Sequence, residues 1–316
     1  MRQGAILFAV TGWDATEWID EFRDRAPNRP VFLQIDDPAD PAIRYAAVWK
    51  HRHGILSRLP NLQAIFSLGA GVDHVFSDPQ LPDVPVVRIV ADDLTARMSE
   101  YVVWQVLDHH RQGRLHRDQQ RRRVWHHPPQ PAAASVTVGV MGLGVLGRDA
   151  ATKLRHLGFK VAGWSRRPQQ IEGVKCFAGT SGLDQFLAIT DIVVVLLPLT
   201  PQTRGIIDHR LLAQMKRKTP LGGPILINAG RGGLQVEADI LAALADGRLM
   251  AACLDVFETE PLPQASALWR HPHVTITPHA AADSDAAQLV PLILQQMEAF
   301  ERGEPLPNLA DRSVAY

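Results

Sequence analysis

The chain has 316 residues, 46% hydrophobic and 21% charged, with 33 basic and 33 acidic side chains. That length holds two domains with cores of their own, and the cancelled charge gives no pull toward nucleic acid or an anionic membrane. Its two cysteines, Cys176 and Cys253, lie far apart beside apolar runs, which points to buried free thiols rather than a disulfide or a metal site.

The apolar run Ala5 to Val10 predicts a first strand and is too short for a signal-peptide core. Asp14 then caps a helix to about Arg25 whose buried stripe is Trp18, Ile19 and Phe22. Val31–Ile35, Ala46–Trp49, Ala64–Leu68 and Val86–Ile89 follow as short strands, and the alternation with helical segments predicts a parallel sheet covered on both faces. Leu94 to Val124 predicts one long helix with a weak point at Gly113, apolar in its first half and arginine-rich from Arg111 to Arg123. In a neutral chain without a base-reading motif, that basic stretch reads as a solvated face or a subunit contact. His126 to Pro131 is an extended linker.

Val136 to Met141 is a buried strand, and Gly142, Gly144 and Gly147 follow it at G-x-G-x-x-G spacing before a helix over Ala150–Leu157. Strand, glycine turn and helix together form the context in which such a motif cradles a pyrophosphate: a tight turn, a close backbone approach, and a helix N-terminus aimed at the phosphates. Lys160–Trp164, Ile192–Leu197, Ile225–Asn228, Ala251–Leu254 and Val274–Thr277 are the later strands, with helices at Asp208–Met215 and Ala238–Ala245. The Ile192–Leu199 run is too short to span a bilayer, so a cytoplasmic protein without membrane partners is expected. Ser284–Phe300 is an amphipathic helix with no strand left to join, and it is expected to return to the first domain.

Three strands end in polar residues: Arg231 after Ile225–Asn228, Asp255 and Glu260 after Ala251–Leu254, and His279 after Val274–Thr277. Carboxyl ends of parallel strands line the ligand crevice of an open sheet. Arginine suits a carboxylate through paired donors, and a histidine beside a carboxylate suits proton transfer near neutral pH.

The motifs Val138–Gly147, Leu196–Thr200, Ile227–Gly232, Leu254–Leu262 and Thr277–His279, with Ser67–Asp73 earlier, resemble the D-isomer-specific 2-hydroxyacid dehydrogenases, most closely the glyoxylate/hydroxypyruvate reductase A group. The resemblance implies a Rossmann-type doubly wound parallel sheet over residues 101–284 and a flavodoxin-like α/β substrate domain split between 1–100 and 285–316. It implies a catalytic Arg231, Glu260 and His279, and cofactor contacts from Gly142, Gly144, Val145, Leu146, Gly147, Leu197, Pro198, Thr203, Ala229 and Asp255. Substrate contacts are implied for Gly69, Ala70 and Gly71, with Arg231 and His279. Trp49 is expected either as a wall of the substrate pocket or as core. The run Ala280-Ala281-Ala282 departs from many members, which place larger or glycine-rich residues there.

The implied reaction is reduction of a small 2-oxo acid. A bulkier 2-oxo acid, or a nucleotide-sensing binding module on the same scaffold, stay open as alternatives. After Lys160–Trp164, where NAD-preferring sites carry an acid, stand Ser165, Arg166 and Arg167, so NADPH is the expected cofactor, with NADH less preferred. The 94–124 helix, too long for one domain to cover, and the resemblance together imply a homodimer.

Overall fold

A computed structural model describes residues 4–33, 40–314 and 316. The chain divides into two compact units, Met1–Leu94 with Ser284–Tyr316, and Thr95–Asp283.

The first unit contains β1 (Ala5–Val10), α1 (Thr16–Arg25), β2 (Val31–Leu33), β3 (Ile43–Trp49), β4 (Ala64–Ser67), α2 (Asp73–Phe76) and β5 (Val86–Val87). The last two positions of the strand predicted over Val31–Ile35 lie outside the described residues. Strand order is β2-β1-β3-β4-β5, all parallel, the 2-1-3-4-5 order of flavodoxin-like sheets. Both faces of β1 are buried, which explains its unbroken apolar run. The N-cap of α1 is Ala15, without a side-chain cap, rather than the expected Asp14, whose carboxylate instead accepts the Thr16 amide at 3.0 Å and its hydroxyl at 2.6 Å just ahead of the helix; Trp18, Ile19 and Phe22 are buried as expected.

The chain crosses into the second unit along α3 (Asp92–His110), followed by α4 (Gly113–Arg122). The single helix expected over 94–124 is therefore two. Gln112 is left-handed at φ +56°, and α4 buries no residue. Arg117 forks onto Asp108 at 2.8 and 2.9 Å, while Arg121 and Arg122 reach Asp118, so part of the basic stretch is locally neutralised.

The rest of this unit runs β6 (Thr137–Met141), α5 (Val145–His156), β7 (Lys160–Ser165), β8 (Val174–Ala178), α6 (Gly179–Ile189), β9 (Ile192–Val195), α7 (His209–Gln214), β10 (Ile225–Asn228), α8 (Glu237–Ala245), β11 (Ala251–Leu254) and β12 (Val274–Ile276). The sheet is wholly parallel in the order β12-β11-β10-β9-β6-β7-β8, doubly wound, with the order reversing between β6 and β9. Val193 and Val195 pack into the core on one face, Ile192 and Val194 into the core on the other. β8 and α6 were not legible in the sequence. β8 is a part-exposed edge strand, and α6 carries Gly179, Thr180, Ser181 and Gly182, poor helix formers held by the fully buried Phe186 and Leu187. Cys176 lies on that edge strand and is half-buried, against the expectation that both thiols are buried, whereas Cys253 is fully buried; both are free.

The last helix, α9 (Ala286–Glu301), returns to the first unit. Asp285 caps it through the Ala287 amide, and Leu289, Ile293, Leu294 and Met297 are buried. At its far end the Glu301 carboxylate accepts from the two terminal guanidinium nitrogens of the buried Arg29, each at 2.9 Å. Among the described residues, no helix is long and apolar enough to cross a membrane, and no group of His, Cys, Asp and Glu is placed to hold a metal.

Candidate active site

The glycine turn joins β6 to α5. Gly142 has φ +102°, and a Cβ there would lie 2.7 Å from the Leu196 carbonyl oxygen; one on Gly147 would lie 1.8 Å from that of Gly142. Only glycine permits the first, and only glycine lets the helix close on the strand in the second. α5 begins at Val145, five residues before the expected Ala150, with Gly144 as its uncapped N-cap. The first-turn amides of Val145, Leu146 and Gly147 thus meet no capping side chain, and such a terminus fits a pyrophosphate.

At the end of β7 the Ser165 hydroxyl donates to the Arg167 carbonyl at 2.7 Å and closes a turn that lifts Arg166 and Arg167 into solvent. No acidic residue occurs from Ser165 to Ile171. Arg148 of α5, not anticipated, braces this loop through Gln169 at 2.9 Å and the Gln170 carbonyl at 3.1 Å. Beyond β9, the Thr203 hydroxyl donates to the Pro198 carbonyl at 2.7 Å and accepts the Thr200 amide at 2.8 Å, stapling the turn after the buried Leu197. Ala229, buried at the end of β10, donates its amide to the Val195 carbonyl.

Three adjacent strands deliver the polar residues. After β10, the buried Asn228 donates to the Arg231 carbonyl at 3.2 Å and to Gln235 at 2.8 Å, which fixes the turn on which Arg231 stands. The Arg231 guanidinium bonds the Gly230 carbonyl at 2.9 Å. After β11, the buried Asp255 carboxylate accepts the Thr277 hydroxyl at 2.6 Å and the amides of Ala280 at 2.9 Å and Ala281 at 3.1 Å. Tyr101 of α3 adds its hydroxyl to Thr277 at 2.8 Å, and burial pushes the phenol well above its usual pKa, so it remains an O–H donor. Within this network His279 adopts φ +55°, a strained conformation for a residue with a Cβ. Its Nδ1 lies 2.9 Å from Glu260 Oε2, while Oε1 of the same carboxylate accepts the Phe257 amide at 3.1 Å. The structure therefore joins Asp255, Glu260 and His279 into one unit, with Arg231 on the next strand end.

In the first unit, Trp49 ends β3 with its ring 4.7 Å from that of His74, and a Cβ on Gly69 would fall 2.3 Å from Trp49 Cζ3. The loop Gly69-Ala70-Gly71 thus runs beneath the indole. Among the described residues, the amides of Ala70 and Gly71 find no acceptor. Sequence reasoning gave no role of their own to Ser67, His74, Tyr101, Arg148, Asn228, Gln235 and Thr277. The signal available for several of them was a polar residue closing an apolar strand beside a glycine turn.

The family described as D-isomer specific 2-hydroxyacid dehydrogenase, NAD binding domain, matches residues 103–281. A glyoxylate/hydroxypyruvate reductase A of Serratia proteamaculans is 38% identical, over 98% of this chain and 99% of that protein. The crystal structure of an NADPH-dependent glyoxylate/hydroxypyruvate reductase of Sinorhizobium meliloti, in complex with NADP and sulfate, is 47% identical with a TM-score of 0.93, covering 99% of this chain and 100% of that one. A probable 2-hydroxyacid dehydrogenase of Rhizobium etli, in complex with NADP, HEPES and L(+)-tartaric acid, is 45% identical at the same TM-score and coverage. The chain belongs to the D-isomer specific 2-hydroxyacid dehydrogenase family.

Proposed function

We propose that this chain reduces small 2-oxo acids, glyoxylate and hydroxypyruvate, to 2-hydroxy acids with NADPH. The observation that carries the reading is the bond from His279 Nδ1 to Glu260 at 2.9 Å, on strand ends beside a glycine turn built for a dinucleotide. With Nδ1 engaged by a carboxylate, Nε2 is the nitrogen that gives up the proton. The second unit is the dinucleotide domain, the first the substrate domain.

A bound nicotinamide supplies the hydride. The chain's own residues do the rest. The amides of Ala70 and Gly71 and the guanidinium of Arg231 hold the substrate carboxylate, and Arg231 polarises the keto oxygen. His279 protonates the developing alkoxide, and Glu260 stabilises the imidazolium before transfer. An ionised carboxylate has about four acceptor positions; Asp255 fills three within the chain, which leaves one for the nicotinamide amide. The exposed Arg166 and Arg167 suit a 2′-phosphate, as do the NADP complexes of the relatives.

The test is kcat/KM with NADPH and NADH on glyoxylate, hydroxypyruvate and phenylpyruvate. Turnover of the two small acids, faster with NADPH, is expected. A preference for phenylpyruvate would replace the substrate assignment. Nucleotide binding without turnover of any of the three would make the chain a binding module.

A further inference from the structure

The amides of Ala70 and Gly71 must point at the substrate, yet neither belongs to a helix or strand that would fix them. Beneath the loop lies a buried hydroxyl. Ser67, the last residue of β4, has no exposed surface, and its Oγ sits 3.0 Å from the carbonyl oxygens of both Gly69 and Gly71. The Gly69 amide approaches Oγ at 3.3 Å and His74 Nε2 at 3.1 Å. On the far side of the imidazole, the Lys50 amide donates to His74 Nδ1 at 3.2 Å.

The Lys50 amide sets the tautomer of the ring. An amide only donates, so Nδ1 is the bare nitrogen and the neutral ring carries its proton on Nε2. Nε2–H then donates to Ser67 Oγ, as does the Gly69 amide. With both lone pairs engaged, the single Ser67 proton goes to the Gly69 and Gly71 carbonyls. In a trans peptide the carbonyl and the following N–H point in opposite directions. Pulling the Gly69 carbonyl down onto Ser67 therefore turns the Ala70 N–H the other way. The Trp49 ring, packed on His74 and against Gly69, leaves the loop little room to rotate back.

We propose that His74 is a positioning residue which, through Ser67, aims the Ala70 N–H at the substrate carboxylate and pins the Gly71 end of the same loop. The proposal rests on the assignment of the 69–71 loop as the carboxylate site.

The experiment compares wild type with His74→Leu, His74→Gln and Ser67→Ala, reading KM for glyoxylate, KM for NADPH, kcat and melting temperature. Glutamine can keep a donor toward Ser67 and an acceptor toward Lys50; leucine can do neither. Expected is a rise of about tenfold or more in KM for glyoxylate in His74→Leu and Ser67→Ala, an unchanged KM for NADPH, and recovery of most of the effect in His74→Gln. A residue with only a packing role would lower the melting temperature and the active fraction while leaving the glyoxylate KM in place, and that result overturns the proposal. Ser67→Ala, the smaller change, decides the matter if His74→Leu does not fold. An active wild type whose variants keep its glyoxylate KM sinks this inference alone; a wild type inactive on every 2-oxo acid sinks the functional reading and the inference with it.

Discussion

The backbone of His279 hangs from Asp255: its amide donates to the Asp255 carbonyl at 2.7 Å, and the Asp255 side chain gathers the next two amides of the same turn. Asp255 is thus the support that keeps His279 in its left-handed conformation. Replacing it with asparagine would set an amide N–H₂ against backbone N–H groups, and an unmet buried donor costs about 1–3 kcal/mol. Asp255→Asn is expected to lower the melting temperature and also kcat. A variant with wild-type melting and wild-type kcat would show that the turn holds itself.

His279→Ala is expected to lower the reductive kcat by about 10²–10⁴ while the protein stays folded. Reduction consumes a proton that the charged ring delivers, so the reductive rate is expected to fall as pH rises. The oxidative direction needs the neutral ring and improves over the same range. A pH–rate profile in both directions checks the sign, and identical slopes in the two directions would remove His279 from the role.

Much of this site was legible in the sequence, and the reason is topological. Once Ile225–Asn228, Ala251–Leu254 and Val274–Thr277 read as neighbouring parallel strands, the residues after them had to meet at one edge, and Glu260 and His279 do. What was not legible depended on tertiary contact. β8 is an edge strand with weak patterning, α6 is a helix that packing imposes on glycine-rich sequence, and Ser67 and His74 become meaningful only when their hydrogen bonds are seen. The break between α3 and α4 was placed near Gly113 by composition, but the residue that turns is Gln112.

Nucleotide choice is the next prediction. Arg166→Glu with Arg167→Glu removes two exposed cations from the loop after β7 and adds the acid that a ribose hydroxyl prefers. The ratio of kcat/KM for NADPH over NADH is expected to fall by about tenfold or more, since a charge-assisted bond is worth about 1.5–3 kcal/mol. An unchanged ratio would move the 2′-phosphate site elsewhere.

The assembly prediction starts from exposed apolar side chains. Trp104 on α3, Leu115 on α4, and Val124 and Trp125 just beyond it are exposed at 54%, 41%, 44% and 101%. Large exposed apolar groups close together in sequence suit a protein contact, and a second copy of this chain is the expected partner. Sedimentation at micromolar concentration should show a dimer, and Trp104→Glu with Trp125→Glu should shift it toward monomer. A monomeric wild type would count against the assignment.

The last prediction concerns acid stability and lies away from the chemistry. His109 Nε2 meets the Cys253 thiol at 3.0 Å. Burial dominates its environment and, with Arg114 and Arg117 adding to it against Asp108, pushes its pKa from 6.5 down to about 4. Burial likewise pushes the Cys253 thiol up to about 12, so the pair is neutral. Between pH 6.5 and 4 the unfolded chain binds a proton at this residue that the folded chain refuses, so stability must fall as pH falls through that window. Above it the residue contributes no pH dependence, and below it the loss is complete. At about 1.4 kcal/mol per pH unit the full penalty is at most about 3–4 kcal/mol. His109→Gln removes the titration while keeping a polar group beside the thiol. Its melting temperature should decline less than that of wild type as pH is lowered across the window, whatever its value at pH 7. Parallel declines in the two proteins would show that His109 takes up its proton in the folded state as readily as in the unfolded one.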